Sequence, residues 1–149
     1  PTYSLISDVE TIEMADGNVL VGVLGDGSND ATYYFSTTKN CTVEFVENEQ
    51  GAYSTDAKIV VKNNAGDIIE TYIVSVTGDV NGDGACGDPV DALEVEVVSN
   101  GLDDFATSAR ELAGDLNGDG AVDPSDSSAI EIVASGMADI DFVNRTVLY

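Results

Sequence analysis

Thirty-six residues apart, the chain twice spells the same acidic, glycine-punctuated phrase: G-D-V-N-G-D-G at Gly78–Gly84 and G-D-L-N-G-D-G at Gly114–Gly120. In the second copy, Asp115, Asn117 and Asp119 take positions 1, 3 and 5 of a loop, Gly120 takes 6, Ala121 takes 7, and a further acid, Asp126, takes 12. That spacing lets a chain wrap a hard cation in oxygen: side chains from 1, 3 and 5, a backbone carbonyl from 7, and a two-oxygen carboxylate from 12. The glycine at position 6 supplies the sharp turn. Carboxylates this close repel one another unless a cation sits among them. An oxygen-only donor set in a chain without a single His favours calcium over zinc or copper.

In the first copy, Asp79, Asn81 and Asp83 stand at positions 1, 3 and 5, Gly84 at 6, and the carbonyl of Ala85 at 7. The closing acid, Asp91, comes one residue late. Aligning G-A-C-G-D-P-V-D with G-A-V-D-P-S-D puts the extra residue at Cys86-Gly87, where a glycine tolerates backbone angles other residues avoid. The spacing therefore predicts two calcium ions, one held by Asp79, Asn81, Asp83, Ala85 and Asp91, the other by Asp115, Asn117, Asp119, Ala121 and Asp126. Duplication at this interval marks a repeated structural unit.

Each loop leads into a helix-length segment that stops at glycine: Asp91–Asn100 before Gly101, and Asp126–Ser135 before Gly136. A linking helix is expected over 103–112, with Asp103 and Asp104 in its first turn and Arg110 in its last, as the helix dipole favours. On a helical wheel, Ala92, Val95, Val98, Ser99 and Leu102 share one face, and Ser127, Ile130, Val133, Ala134 and Met137 share its counterpart. These are the expected core. Val90, Leu93 and Val97 form a second apolar stripe that so small a unit cannot easily bury, and a leftover stripe marks a partner surface. Phe142, Val147 and Leu148 are expected to fold back from the tail.

Residues 1–77 read as β-structure: runs rich in Val, Ile, Thr and Tyr at Tyr3–Val9, Val19–Leu24, Ala31–Ser36, Thr42–Val46, Lys58–Lys62 and Ile68–Val76, separated by Asp, Asn and Gly turns. Short strands at this spacing suggest an antiparallel sandwich of immunoglobulin-like kind. The last strand passes through Thr77-Gly78 into Asp79 with no flexible linker, so the two parts should hold a preferred orientation. The acids Glu10, Glu13, Glu44, Glu47 and Glu49 have no partner spaced for nucleophilic or acid–base chemistry, and no enzyme is expected. Tyr33, Tyr34 and Tyr72 could form a sugar-stacking platform, with strand packing as the plainer account.

A net charge of −23 argues against nucleic acid and anionic membranes as partners, and no apolar run approaches the roughly 20 residues that span a bilayer. The two cysteines, Cys41 and Cys86, are expected to be unbridged, since disulfide-built domains are far richer in Cys. The chain opens at Pro1 without an initiator Met or signal sequence and is expected to be a piece of something larger.

An EF-hand fits poorly: a strand precedes the first loop where an entering helix is required, and both closing acids are Asp rather than Glu. Two G-D-x-N-G-D-G loops, each followed by one helix, with a linking helix between, closely resemble a dockerin over residues 78 to about 138. The approach T-Y-I-V-S-V-T-G-D-V-N-G-D-G (Thr71–Gly84) is similar to X-module–dockerin pairs, in which an immunoglobulin-like X-module comes first. The resemblance implies two small domains: an all-β immunoglobulin-like sandwich at 1–77, then an all-α dockerin at 78–149 (repeat 1 at 79–101, linking helix at 103–112, repeat 2 at 115–136, tail at 139–149). It also implies a non-catalytic, calcium-dependent anchor, monomeric when free, that binds a cohesin and draws a secreted parent protein into a polysaccharide-degrading complex.

Where the family often carries Ser-Thr and Lys-Arg recognition pairs, this chain has Pro89-Val90 and Pro124-Ser125, and Glu96-Val97 and Glu131-Ile132. The implied partner surface is hydrophobic: Val90, Leu93, Glu94 and Val97 in repeat 1, Ser125, Ser128 and Ile132 in repeat 2. The halves differ enough for one binding orientation to dominate, led by the first helix. A carbohydrate-binding β-domain joined to a calcium module, or a calcium sensor or buffer, are the alternatives.

Overall fold

The computed structural model describes residues 2–5, 10–14, 17–23, 34–142 and 144–149. Among the described residues of the first half, the Val-, Ile- and Thr-rich runs form seven strands: β1 (Thr2–Leu5), β2 (Glu10–Met14), β3 (Gly17–Val21), β4 (Phe35–Lys39), β5 (Cys41–Val46), β6 (Lys58–Asn63) and β7 (Ile68–Val74). The expected Tyr3–Val9 and Ala31–Ser36 strands, and Tyr33 with them, lie partly or wholly outside the described residues.

Five strands form one mixed sheet in the order β2-β3-β7-β6-β5, while β1 and β4 pair in a separate two-stranded sheet. Within the larger sheet β3 runs parallel to β7, Asn18 opposite Tyr72 and Leu20 opposite Val74, and the other neighbours are antiparallel. This topology overturns the immunoglobulin-like sandwich. Alternation and β-branching identify strands, but pairing follows from which edges remain open. Here β2 takes one edge of β3, and β7 takes the other. The amide of Ser75 extends that parallel pairing by donating to the carbonyl of Leu20 (2.8 Å) as the chain leaves for the first loop.

The second half is built from α1 (Pro89–Ser99), α2 (Ser108–Ala113), α3 (Pro124–Ala134) and a hairpin of β8 (Asp139–Asp141) with β9 (Thr146–Leu148). It is therefore not all-α. Helices α1 and α3 start at Pro89 and Pro124, two residues ahead of expectation. Asp88 and Asp123 cap them, each in a reciprocal capping box with the acid three residues on, Asp91 or Asp126. The linking helix has six residues. Thr107 starts it by accepting the amide of Arg110, so Asp103 and Asp104 stand outside it.

Leu20, Val23, Tyr34, Phe35, Phe45, Ile59 and Val74 are among the residues that fill the core of the β-region. Val80, Ala92, Val95, Leu116, Ala129 and Ile130 fill that of the helical region. A third cluster ties the two together: Val19 and Val21 of β3 bury against Ala109 of α2. The terminal hairpin spans both, Phe142 packing on the first core and Val147 on the second, while Leu148 stays exposed. Ala92, Val95, Ser127 and Ile130 are buried as the wheel predicts, and Val98, Ser99 and Val133 are half-buried. Leu102 and Met137 instead stand 77% and 78% exposed, and Ala134 is exposed too. At Gly101 and Gly136 the backbone turns to positive φ, which swings the following residue off the helical wheel.

Candidate metal centre and docking face

Both loops fold around the same set of backbone-to-carboxylate bonds. In the second, Asp115 accepts the amides of Gly118 (3.1 Å) and Gly120 (2.9 Å), Asn117 Oδ1 accepts that of Asp119 (3.1 Å), and Asp119 that of Ala121 (2.9 Å). Asp126 closes the ring, one oxygen taking the amides of Leu116 (3.0 Å) and Asn117 (3.3 Å), the other that of Asp123 (2.9 Å).

Every bond has its counterpart in the first loop. Asp79 accepts from Gly82 and Gly84 (both 3.1 Å), Asn81 from Asp83 (3.2 Å), and Asp83 from Ala85 (2.9 Å). Asp91 accepts from Val80 (2.8 Å), Asn81 (3.2 Å) and Asp88 (3.2 Å). The inserted residue is absorbed between Ala85 and Asp88. There Gly87 sits at φ +73° and donates to the carbonyl of Gly78 (2.9 Å). A side chain at Gly87 would stand 2.6 Å from Val133 Cγ1.

The loops differ in convergence and in burial. Carboxylate oxygens of Asp115, Asp119 and Asp126 lie within 4.8 Å of one another, and among the described residues they are the one such group. In the first loop Asn81 Nδ2 donates to Asp83 Oδ2 (3.3 Å), whereas Asn117 Nδ2 turns to Ser125 Oγ (3.0 Å). Asp79 is fully buried where Asp115 is half-buried, while the closing acids Asp91 and Asp126 are both fully buried; the thiol of Cys86 packs on the β-core near Asp79 and Asp91, and both cysteines are free. Burial raises the pKa of Asp79, against the Ser54 hydroxyl and nearby amides, and pushes Asp91 up to about 8. It raises Asp126 too, and drives the Cys86 thiol upward with the help of the surrounding carboxylates. Buried carboxyls that resist ionisation are what an oxygen site presents before a cation compensates it.

Residues 77–131 match the dockerin type I domain. No curated protein and no solved structure matches the chain. The match supports a non-catalytic, calcium-dependent binding module for that segment, and the all-oxygen donor set fits the ion. The dockerin segment contains both loops, α1, α2 and most of α3.

On its outer surface, Val90 (54%) and Leu93 (58%) are the exposed apolar residues of α1, with Glu94 and Val97 half-buried beside them. Glu94 is raised by burial, opposed by nearby Arg110. In α3, Ser125 and Ser128 are exposed and Ile132 half-buried. Both hydroxyls stay within their own first turn, Ser125 on Asp123 and Ser128 on the carbonyl of Pro124 (3.2 Å). The bond from Ser125 lowers the pKa of Asp123.

Of the three tyrosines, Tyr34 and Tyr72 pack within the β-region, and Tyr33 lies outside the described residues. Tyr34 is fully buried and Tyr72 packs on Phe35 with ring centroids 5.0 Å apart. A cleft of about 520 Å3 between the β5–β6 connection and α2 has no aromatic ring in its lining. Unforeseen from sequence were the groups that join the two halves. Asp56 accepts Thr107 Oγ1 and Arg110 Nε (both 2.6 Å), and Ser75 Oγ donates to the carbonyl of Ala109 (2.7 Å).

Proposed function

We propose that residues 78–149 form a calcium-loaded dockerin that docks its parent protein onto a cohesin, with residues 1–77 serving as an X-module that braces it. The observation that carries this reading is the repeated ring of amide-to-carboxylate bonds around Asp79, Asp83 and Asp91 and around Asp115, Asp119 and Asp126, inside a segment that matches the dockerin type I domain. Calcium, when bound, supplies the positive charge that lets the buried carboxylates of Asp79, Asp91 and Asp126 ionise. Asn81, Asn117 and the carbonyls of Ala85 and Ala121 would complete the two oxygen sets. Asp91 and Asp126 also lie in the first turns of α1 and α3, so the groups that close each loop set the start of each helix.

Val90 and Leu93 supply the apolar centre of the docking face, with Glu94 and Val97 at its edge, and Ser125, Ser128 and Ile132 form its polar counterpart in the second repeat. An apolar anchor ringed by polar contacts is the usual anatomy of a specific interface. The assembly is an extracellular or cell-surface polysaccharide-degrading complex, of cellulosome or amylosome type, with the free chain monomeric. Calorimetric titration against a panel of cohesins, in calcium and again in EDTA, tests the reading. Tight binding to one class, abolished by EDTA and weakened about thirtyfold or more by Leu93→Asp but only slightly by Ser128→Asp, is expected. Calcium uptake with no cohesin bound contradicts the docking role, and equal losses from the two variants contradict the lead of α1.

A further inference from the structure

One segment of the β-region reaches into the first loop and, among the described residues, has no counterpart at the second. The connection between β5 and β6 is a compact turn held by its own bonds: the Asn48 amide donates to the carbonyl of Ala52 (2.8 Å), and Asn48 Oδ1 accepts the amides of Gln50 (2.9 Å) and Ala52 (3.1 Å). From that frame two side-chain amides extend to the loop. Gln50 Nε2 donates to the carbonyl of Asn81 (2.6 Å), and Asn48 Nδ2 donates to the carbonyls of Gly82 (2.6 Å) and Thr55 (2.8 Å).

The N–H and C=O of a trans peptide point in opposite directions, so fixing one aims the other. The peptide whose carbonyl Gln50 holds outward carries the Gly82 amide, which bonds inward to Asp79. The next peptide, whose carbonyl Asn48 holds, carries the Asp83 amide, which bonds inward to Asn81 Oδ1. Two consecutive peptides are thus oriented from outside so that their amides hold the side chains at positions 1 and 3. The approach is close enough to need glycine. A Cβ on Gly82 would stand 2.9 Å from the carbonyl oxygen of Thr55, 3.3 Å from Asn48 Nδ2 and 3.4 Å from Gln50 Nε2. At Gly118, the matching residue of the second loop, nothing lies within 4 Å of that position.

We infer that Asn48 and Gln50 are positioning residues for the calcium ligands of the first loop alone. Through them the β-region tunes one of the two sites. The inference rests on the calcium reading of the loops. A loop already ordered by its neighbour loses less freedom on binding, so the contact raises affinity without touching the ion.

The test uses the full chain with one loop disabled at a time. Asp119→Ala leaves the first loop and Asp83→Ala leaves the second, each with and without Gln50→Ala, titrated with calcium by calorimetry. Loss of one such hydrogen bond is expected to weaken calcium roughly three- to tenfold when the first loop is the remaining site, and to leave the second unchanged. Asn48→Asp keeps the acceptor that holds the turn and removes both donors. It should also weaken the first site, although its added negative charge alone would strengthen it. Unchanged affinity at the first loop, or equal losses at both, overturns the inference. So does a melting temperature in EDTA that falls as much as the one in calcium, which marks a contact that supports folding only. A parent chain that takes up no calcium at either loop overturns this inference together with the calcium reading.

Discussion

The two loops are one design in two settings. Both are closed by a buried Asp that accepts three backbone amides, and both hand the chain to a proline-started helix capped by the acid just before it. The second stands in solvent around its exposed positions. The first is covered on one side: Gly82 and Gly87 are buried against the β5–β6 connection and α3, and Gly78 donates to the carbonyl of Ala113 (2.8 Å) just ahead of the second loop, while Asp83, Gly84 and Ala85 stay exposed. Repetition therefore fixes what each loop can hold, while its surroundings decide how free it is to move.

Removing a closing acid should have the largest effect. Asp91→Ala and Asp126→Ala each leave three amides without their acceptor, so each should lower stability by about 3 kcal/mol or more in denaturant unfolding. Similar losses fit two loops closed in the same way. A much smaller loss for Asp91→Ala would break the equivalence.

The same acids set the response to pH. Burial raises the pKa of Asp79, Asp91 and Asp126 above the unfolded value, so without calcium the folded chain holds these protons more tightly than the unfolded chain does. Their contribution is fully present below the ordinary carboxylate range, near pH 4, and is lost as pH climbs toward about 8, where Asp91 ionises. In EDTA, thermal stability should decline from pH 5 to pH 8, and saturating calcium should remove the decline. A rise over that interval would show that the buried acids are not what governs it.

A smaller effect isolates the surroundings. Gly82 and Gly118 occupy the same loop position at nearly the same φ, +76° and +73°, so an alanine at either carries a similar backbone strain of about 1 kcal/mol. Only at Gly82 does the new methyl meet backbone, and Gly82→Ala should be the more destabilising by a further 1–2 kcal/mol in a melt. Equal losses would remove the steric distinction between the loops.

The parts of this molecule legible in its sequence are those that local spacing encodes. Positions 1, 3, 5, 6 and 7 lie within seven residues, so their chemistry shows before any tertiary contact forms. Asp88-Pro89 and Asp123-Pro124 also carried a readable helix start, an acid cap followed by proline at the first helical position. That signal places α1 and α3 two residues earlier than the apolar pattern does. The strands were legible as strands, but the parallel pairing of β3 with β7 joins segments some 50 residues apart and has no local signature. Asn48 and Gln50 meet the first loop 34 and 31 residues along the chain, and on their own they read as ordinary turn residues. Leu102 and Met137 mislead in the opposite sense: the wheel assigns them to a core from which the glycine turns eject them.

The claim on which the rest depends is that the first loop, despite its inserted residue, is a second calcium site closed by Asp91. The amides of Gly84 and Gly120, bonded alike to Asp79 and Asp115, report on the two loops separately. In a calcium titration followed by NMR on the full chain, both resonances should move, and saturation should come at two ions per chain. Movement of Gly120 alone, with saturation at one ion, would contradict the account.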